Sequence, residues 1–284
     1  MRLRATISGV PTFFRIIQAI EKLQKRCIIK FTEEYMHVIC NADPGEVQVW
    51  SRIKVGTLFE DYRIQSNANN EITVVLSSEA VLAALRSATE AEEVVTKLAK
   101  KNDQALLSFE IIQQTRSAQR VRVTHDVKIE VMRPTDMEKL QEPLCPKADL
   151  LILLPPLQKL RTIVERLNHM SDVMAFQADN NKRLKVSIRT ESVNIETEWT
   201  NCQNPLVQDE DQEEEKPDPD KLFTVLISTK SFLKFLNSHV VSKTTIAAVC
   251  QHHCVILYVY IGDVADAGGV LTFYIPAIID DEDR

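Results

Sequence analysis

One stretch, Val121 to Pro155, limits the folds open to this chain more than any other. It reads VRVTHDVKIEV, then MRPTDMEKLQEPLCPKAD, then LLILLP. Val121, Val123, Val127, Ile129 and Val131 share one face of an extended strand, and Arg122, Thr124, Asp126, Lys128 and Glu130 share the other. A structureless connector containing prolines follows, and then a short apolar strand, Leu150–Leu154. The order of elements before this seam is repeated after it.

The first half predicts a strand over Arg2–Ser8 and a helix from Pro11, whose fixed φ suits a first helical turn. Phe13, Ile16, Ile17, Ile20 and Leu23 give that helix an apolar face. Short strands follow, with Asp43-Pro44-Gly45 and Asn69-Asn70 as turns. Ser77 or Ser78 then caps a second helix carrying Val81, Leu82 and Leu85. Three more strands lead to the seam. In the second half, Leu150–Leu154 is followed by a helix from Pro155-Pro156, three strands, an acidic interruption and a further strand. A helix capped by Ser228 or Thr229 and three closing strands complete it. The first helices start near 11 and 156, the second helices near 78 and 229, so both pairs are offset by about 150 residues. Each half reads as one strand-rich α+β unit with its helices on one face of the sheet. The expected boundaries are 1–131, a connector at 132–149, and 150–279 with an acidic loop at 207–221, before a tail at 280–284.

Charge is unevenly spread. The net charge is −6, from 40 acids and 34 bases. Gln208–Asp220 and the tail hold twelve of those acids and two of the bases, which leaves 28 acids against 32 bases in the body. Like-charge runs of this kind are solvated spacers and tails. On the helix from Pro11, Arg15, Gln18, Lys22 and Lys25 form the stripe opposite the apolar face. Arg86 stands out on the second helix, Lys159, Arg161 and Arg166 on the third with Glu165 among them, and Lys230, Lys234 and Asn237 on the fourth. Basic stripes on all four helices of an acidic chain point to a phosphate-facing surface that needs no base-reading groups.

The motifs VTHDVKIEV, LQEP within LQEPLCPKADLLILLPPLQKLRTIVERL, NNEITVVLSSEAVLAALRSA and the closing YIPAI together resemble a sliding DNA clamp. More narrowly, they resemble the Hus subunit of the nine-one-one DNA-damage checkpoint clamp, from Met1 to about Ile278. The resemblance implies a DNA-clamp fold: two similar strand-rich domains, each with two helices on the inner face, joined by an interdomain connector. It implies a heterotrimeric ring with two sister subunits, closed by pairing sheet edges and opened by a checkpoint clamp loader. It also implies non-specific contact with double-stranded DNA, checkpoint kinase signalling, docked repair enzymes and a nuclear location. The DNA-facing residues would be Arg15, Lys22, Lys25, Arg86, Lys159, Arg161, Arg166, Lys230 and Lys234. The strand before the connector would be one subunit edge, through Val121, Val123, His125, Val127 and Ile129. The matching edge in the second half would carry Val193, Ile195, Thr197 and Trp199. An open edge of this length calls for a native partner. Met132, Met137, Leu140 and Leu144 are apolar residues on a polar connector, and either dock partner peptides or pin the loop to the body. A self-assembling replication-type clamp is the alternative within the class.

Other chemistry has little support. His125 and Asp126 are neighbours on a strand and so point to opposite faces, which speaks against a hydrolase built on His125. Cys250-Gln-His-His-Cys254 lacks the second ligand set of a structural zinc site, and no metal or cofactor is expected. The six glycines build no phosphate-cradling loop. No apolar run reaches the ~20 residues that span a bilayer. The six scattered cysteines suit a reducing compartment.

Overall fold

The computed structural model describes residues 1–41, 45–114, 119–205 and 221–278. The acidic loop (except Lys221), the acidic tail and most of the Asp43-Pro44-Gly45 turn lie outside these residues. The chain divides into two compact units. The first contains Met1–Asn41, Val49–Glu142 and Ile261–Leu271, and the second contains Ala42–Gln48, Pro143–Tyr260 and Thr272–Arg284.

In chain order the first half runs β1 (Arg2–Ile7), α1 (Val10–Glu21), β2 (Arg26–Phe31), β3 (Tyr35–Cys40), β4 (Gln48–Lys54), a single turn α2 (Val55–Leu58) and β5 (Phe59–Gln65). It continues with β6 (Ile72–Ser77), α3 (Ser78–Ser87), β7 (Glu93–Lys101), β8 (Gln104–Gln114) and β9 (Arg120–Val131). These strands hydrogen-bond in the order β4-β3-β2-β6-β9-β8-β7-β1-β5. The connector holds one short helix, α4 (Pro134–Met137), so it is not wholly structureless as the sequence suggested.

The second half runs β10 (Leu150–Leu153), α5 (Leu157–Asn168), β11 (Val173–Ala178), β12 (Leu184–Arg189), β13 (Asn194–Trp199), β14 (Phe223–Ser228), α6 (Thr229–Leu236), β15 (Thr245–Cys250), β16 (Cys254–Ile261) and β17 (Gly269–Pro276). Its strands form the orders β10-β15-β16-β17 and β13-β12-β11-β14. The repeat is visible in the element order. Among the described residues the second half has no strand in the place that β5 holds in the first.

Local chemistry sets the helix starts. The Ser77 hydroxyl accepts from the Ala80 amide at 3.2 Å, and Ser228 accepts from Ser231 at 3.2 Å. Each satisfies an amide that the first helical turn leaves unpaired. In the first unit α1 packs against α3, burying Phe13, Ile16, Ile17, Ile20, Val81 and Leu85. In the second, α5 packs against α6. There Phe176, Phe232, Phe235 and Phe273 form a continuous series of ring contacts with centroids 5.1–5.7 Å apart. Two-residue hairpin turns need positive φ, and Asn102 and Asp103 supply it between β7 and β8. Asn69 and Asn70 also take positive φ at the tip between β5 and β6.

Candidate subunit and nucleic-acid interfaces

The strand before the connector is an edge for only part of its length. From Arg120 to Lys128, β9 pairs with β8 alone among the described residues. Its last three residues switch partner, setting Ile129, Glu130 and Val131 opposite Leu76, Val75 and Val74 of β6. Val127 and Ile129, expected at a subunit edge, have core side chains, 4% and 3% exposed; Ile129 is also paired with β6, whereas the Val127 backbone stays in the stretch that pairs with β8 alone. The reason is the pleat: the apolar face of β9 points into the first unit, and β6 closes over its C-terminal end. Val121 is exposed, and Val123 and His125 are half-buried.

Among the described residues β13 is a terminal strand that pairs only with β12, along all six of its residues. Ile195, Thr197 and Trp199 are half-buried on one face, Asn194, Glu196 and Glu198 are exposed on the other, and Val193 is exposed just before the strand. The outward faces of the two strands carry unlike charge. β9 exposes Arg120, Arg122 and Lys128, together with Asp126 and Glu130, while β13 exposes Glu196 and Glu198. Glu196 is bound by Lys185 at 2.6 Å. The alternation in the sequence already contained this contrast.

His125 and Asp126 do not act together. The Ser108 hydroxyl donates to Asp126 Oδ1 at 2.8 Å and Lys101 Nζ donates to Oδ2 at 3.4 Å. The Ser108 hydrogen bond is the main reason the carboxyl is held below its usual range. On the neighbouring strand, Lys97 pairs with Glu110 and lowers that carboxyl in the same way. Among the described residues no group of three His, Cys, Asp or Glu side chains is placed to hold a metal ion, and no helix is long and apolar enough to cross a membrane.

The basic helix residues fall into two sets. In the first unit Lys22 and Arg86 are exposed and line one cavity of about 260 Å³ between α1 and α3, with Gln18, Glu21 and Glu79. Lys22 contacts Glu21 at 3.0 Å. Arg15 donates to its own helix, Nε to the Pro11 carbonyl at 3.2 Å, and Lys25 is exposed just beyond the helix end. In the second unit Arg161 is held by Glu165 at 2.9 Å and Lys234 contacts Glu46 at 3.7 Å. Lys159, Arg166 and Lys230 are exposed. Asn237 lies beyond α6 and its amide donates to the Leu233 and Lys234 carbonyls, so it belongs to the helix end and not to a stripe.

The four connector residues do not form one groove. Met137 and Leu140 line a cavity of about 240 Å³ in the first unit, with Lys30, His37, Ile39, Trp50, Thr73 and Glu142. The His37 Nδ1 lies 2.9 Å from the Ser51 carbonyl, and burial lowers its imidazole pKa. Leu144 stands fully exposed beside another cavity of about 250 Å³ in the second unit. Pro143, Cys145 and Pro146 form one wall of that cavity, and Gln48, His253, Cys254, Tyr274 and Pro276 supply others. The Met132 amide donates to the Thr73 carbonyl at 3.0 Å, which ties the start of the connector to β6. Sequence reasoning found the connector residues by their apolar side chains. It missed the opposite walls, because His37, Trp50, Tyr274 and Pro276 come from strands far apart in the chain.

The chain was compared with known proteins. The solved structure of Proliferating Cellular Nuclear Antigen from Entamoeba histolytica superposes with a TM-score of 0.72 over 98% of this chain and 99% of that one, at 12% identity, which establishes the sliding-clamp fold. Checkpoint protein hus1 of Schizosaccharomyces pombe is 32% identical over 99% of this chain and all of its own length. Checkpoint protein HUS1 of Homo sapiens is 29% identical over 88% of this chain and 91% of its own. The model of the Hus1-like protein family matches residues 1–279, and the chain therefore belongs to the Hus1-like family of checkpoint proteins.

Proposed function

We propose that this chain is the Hus-type member of a heterotrimeric ring, the checkpoint clamp that is loaded around DNA at damage sites. It is a non-enzymatic subunit acting in the nucleus with two sister subunits and a checkpoint clamp loader. It promotes checkpoint kinase signalling and docks repair enzymes.

The observation that carries this reading is an unequal treatment of equivalent strands. In the first unit β4 has a neighbour beyond β3: the Lys54 amide donates to the Gly268 carbonyl at 2.8 Å. A Cβ on Gly269 would come within 2.7 Å of the Arg52 carbonyl, so the start of β17 approaches β4 as closely as only glycine permits. In the repeat, β13 holds the place of β4 and β9 holds the place of β17. Yet, among the described residues, β13 and the Arg120–Lys128 part of β9 each have one side unpaired. A neighbouring subunit that adds a strand at each edge would repeat outside the chain what β4 and β17 do within it. Such a contact is head-to-tail, and it closes when the rotation per subunit divides the circle. The basic residues of one edge and the acidic residues of the other favour that polarity.

Within such a ring, Lys22 and Arg86, which α1 and α3 expose at one cavity, and Lys25 just beyond α1 are the side chains best placed to meet DNA phosphates. Lys159, Arg166 and Lys230 are the second unit's counterparts. The cavities beside Met137 and Leu140, and beside Leu144, are the docking places for partner peptides along the connector.

Light scattering on this chain mixed with its two sister subunits tests the assembly. A single species of one copy each is expected. A persistent monomer in that mixture would overturn the reading, and a homotrimer of this chain alone would support a self-assembling replication-type clamp instead. Exchanging Lys22, Lys25 and Lys234 for Glu is expected to weaken DNA loading and leave assembly intact; collapse of assembly would mean that these residues serve an interface.

A further inference from the structure

Three of the six cysteines meet at one point in the second unit. Cys250 and Cys254 face each other across the β15–β16 hairpin, and Cys145 of the connector packs against the same apolar cluster. The Cys254 thiol is hydrogen-bonded to both Cys250 and Cys145. Cys250 Sγ also reaches the Pro146 carbonyl at 3.6 Å. The connector is thus tied to the hairpin by sulfur contacts, at the wall of the cavity lined by Pro143, Leu144, Cys145, His253 and Cys254. None of the three is in a disulfide.

We infer that Cys145 and Cys254 form an oxidation-sensitive thiol pair, which joins into a disulfide on exposure to a peroxide and locks the connector onto the β15–β16 hairpin.

Access and geometry select this pair among the three. Cys145 is half-exposed at the cavity, whereas Cys254 is buried and Cys250 fully so, so a soluble oxidant reaches Cys145 first. Cys250 and Cys254 are directly opposed in an antiparallel pair, where Cβ atoms stand about 4.5–5.5 Å apart, wider than the roughly 3.8 Å a disulfide prefers. Cys145 sits on a loop, which adjusts more easily than a hairpin. The hydrogen bond to Cys250, burial and the neighbouring Cys145 sulfur push the Cys254 thiol pKa up. Cys254 is therefore the inert partner until Cys145 is oxidised.

The chemistry balances in two steps. The Cys145 thiolate attacks one oxygen of hydrogen peroxide, the O–O bond breaks, and sulfenic acid and hydroxide form. The Cys254 sulfur then attacks the Cys145 sulfur. The S–S bond forms, the S–O bond breaks, and the Cys254 proton leaves with the hydroxyl group as water. In sum, two thiols and one peroxide give one disulfide and two waters. In a reducing compartment such a bond is transient and signals the oxidant and not a permanent staple.

The test uses the full chain treated with hydrogen peroxide, alkylated and digested without reductant. The expected result is a linked peptide pair through Cys145 and Cys254 that disappears on adding dithiothreitol and falls to background in C145S. Cys145 is half-exposed, so C145S leaves the fold intact; its thermal melt checks this. Sulfinic or sulfonic acid at Cys145 with Cys254 still a free thiol would overturn the inference. So would a Cys250–Cys254 bridge that persists undiminished in C145S.

Discussion

β9 and β13 hold different stations in two copies of one motif, and the contrast shows how this chain separates stability from association. β9 is twelve residues long and does two jobs. Its last three residues pair with β6 and bury Ile129, while its first nine, with Val127 also buried, keep one side open among the described residues. β13 is half that length, pairs on one side throughout and buries no side chain fully. The helix faces differ too: Lys22 and Arg86 share an exposed cavity in the first unit, while Arg161 and Lys234 are drawn into ion pairs in the second.

The largest expected effect breaks the core end of β9. I129D places a carboxylate opposite Leu76 with no cation on its buried face, and is expected to cost about 3–5 kcal/mol. Chemical denaturation should show the loss in this chain without any partner. W199E on β13 should do the reverse, leaving the melt of the free chain within about 1 kcal/mol. In a mixture with the sister subunits it should weaken assembly about 30-fold, the equivalent of about 2 kcal/mol at an interface aromatic. If W199E unfolded the chain as I129D does, the distinction between the two strands would fail.

A smaller effect sharpens the helix contrast. In the assembled ring, K22E with R86E should lower the slope of log affinity for DNA against log salt by about two, since each lost phosphate contact removes about 0.9. R161E with K234E should change it by less, because those cations already face Glu165 and Glu46. Equal slopes for the two pairs would remove the difference between the units.

The smallest effect concerns the outward face of β9. D126N removes a carboxylate that accepts from Ser108 and Lys101, and is expected to cost about 0.5–1 kcal/mol at pH 7. The folded carboxyl titrates below its unfolded value of about 3.9, so its contribution is fully present above that pH and fades as pH falls through the folded value. Denaturation midpoints of wild type and D126N should converge on acidification. A constant gap from pH 7 to pH 2 would assign the loss to packing.

The connector and the CQHHC segment show where sequence reading stops. Met137, Leu140 and Leu144 were conspicuous as apolar residues in a polar stretch, yet the sequence could not divide them between two cavities. Cys250-Gln-His-His-Cys254 read as an incomplete zinc motif, and its cysteines turned out to pack with Cys145, more than a hundred residues earlier. The short helix α4 escaped notice because four residues carry too little periodicity to register.

The sequence by itself determined the duplication, most of the strands and helices, the capping sites at Ser77 or Ser78 and at Ser228 or Thr229, and the family. All of these are written in local patterns: a period of two, a period of 3.6, and side chains that satisfy amides three residues away. Only the tertiary structure decided that Ile129 is core and Trp199 is not, that Lys22 meets Arg86, and that Cys145 meets Cys254. Those facts depend on which strands lie side by side, and strand pairing joins residues that no local period relates.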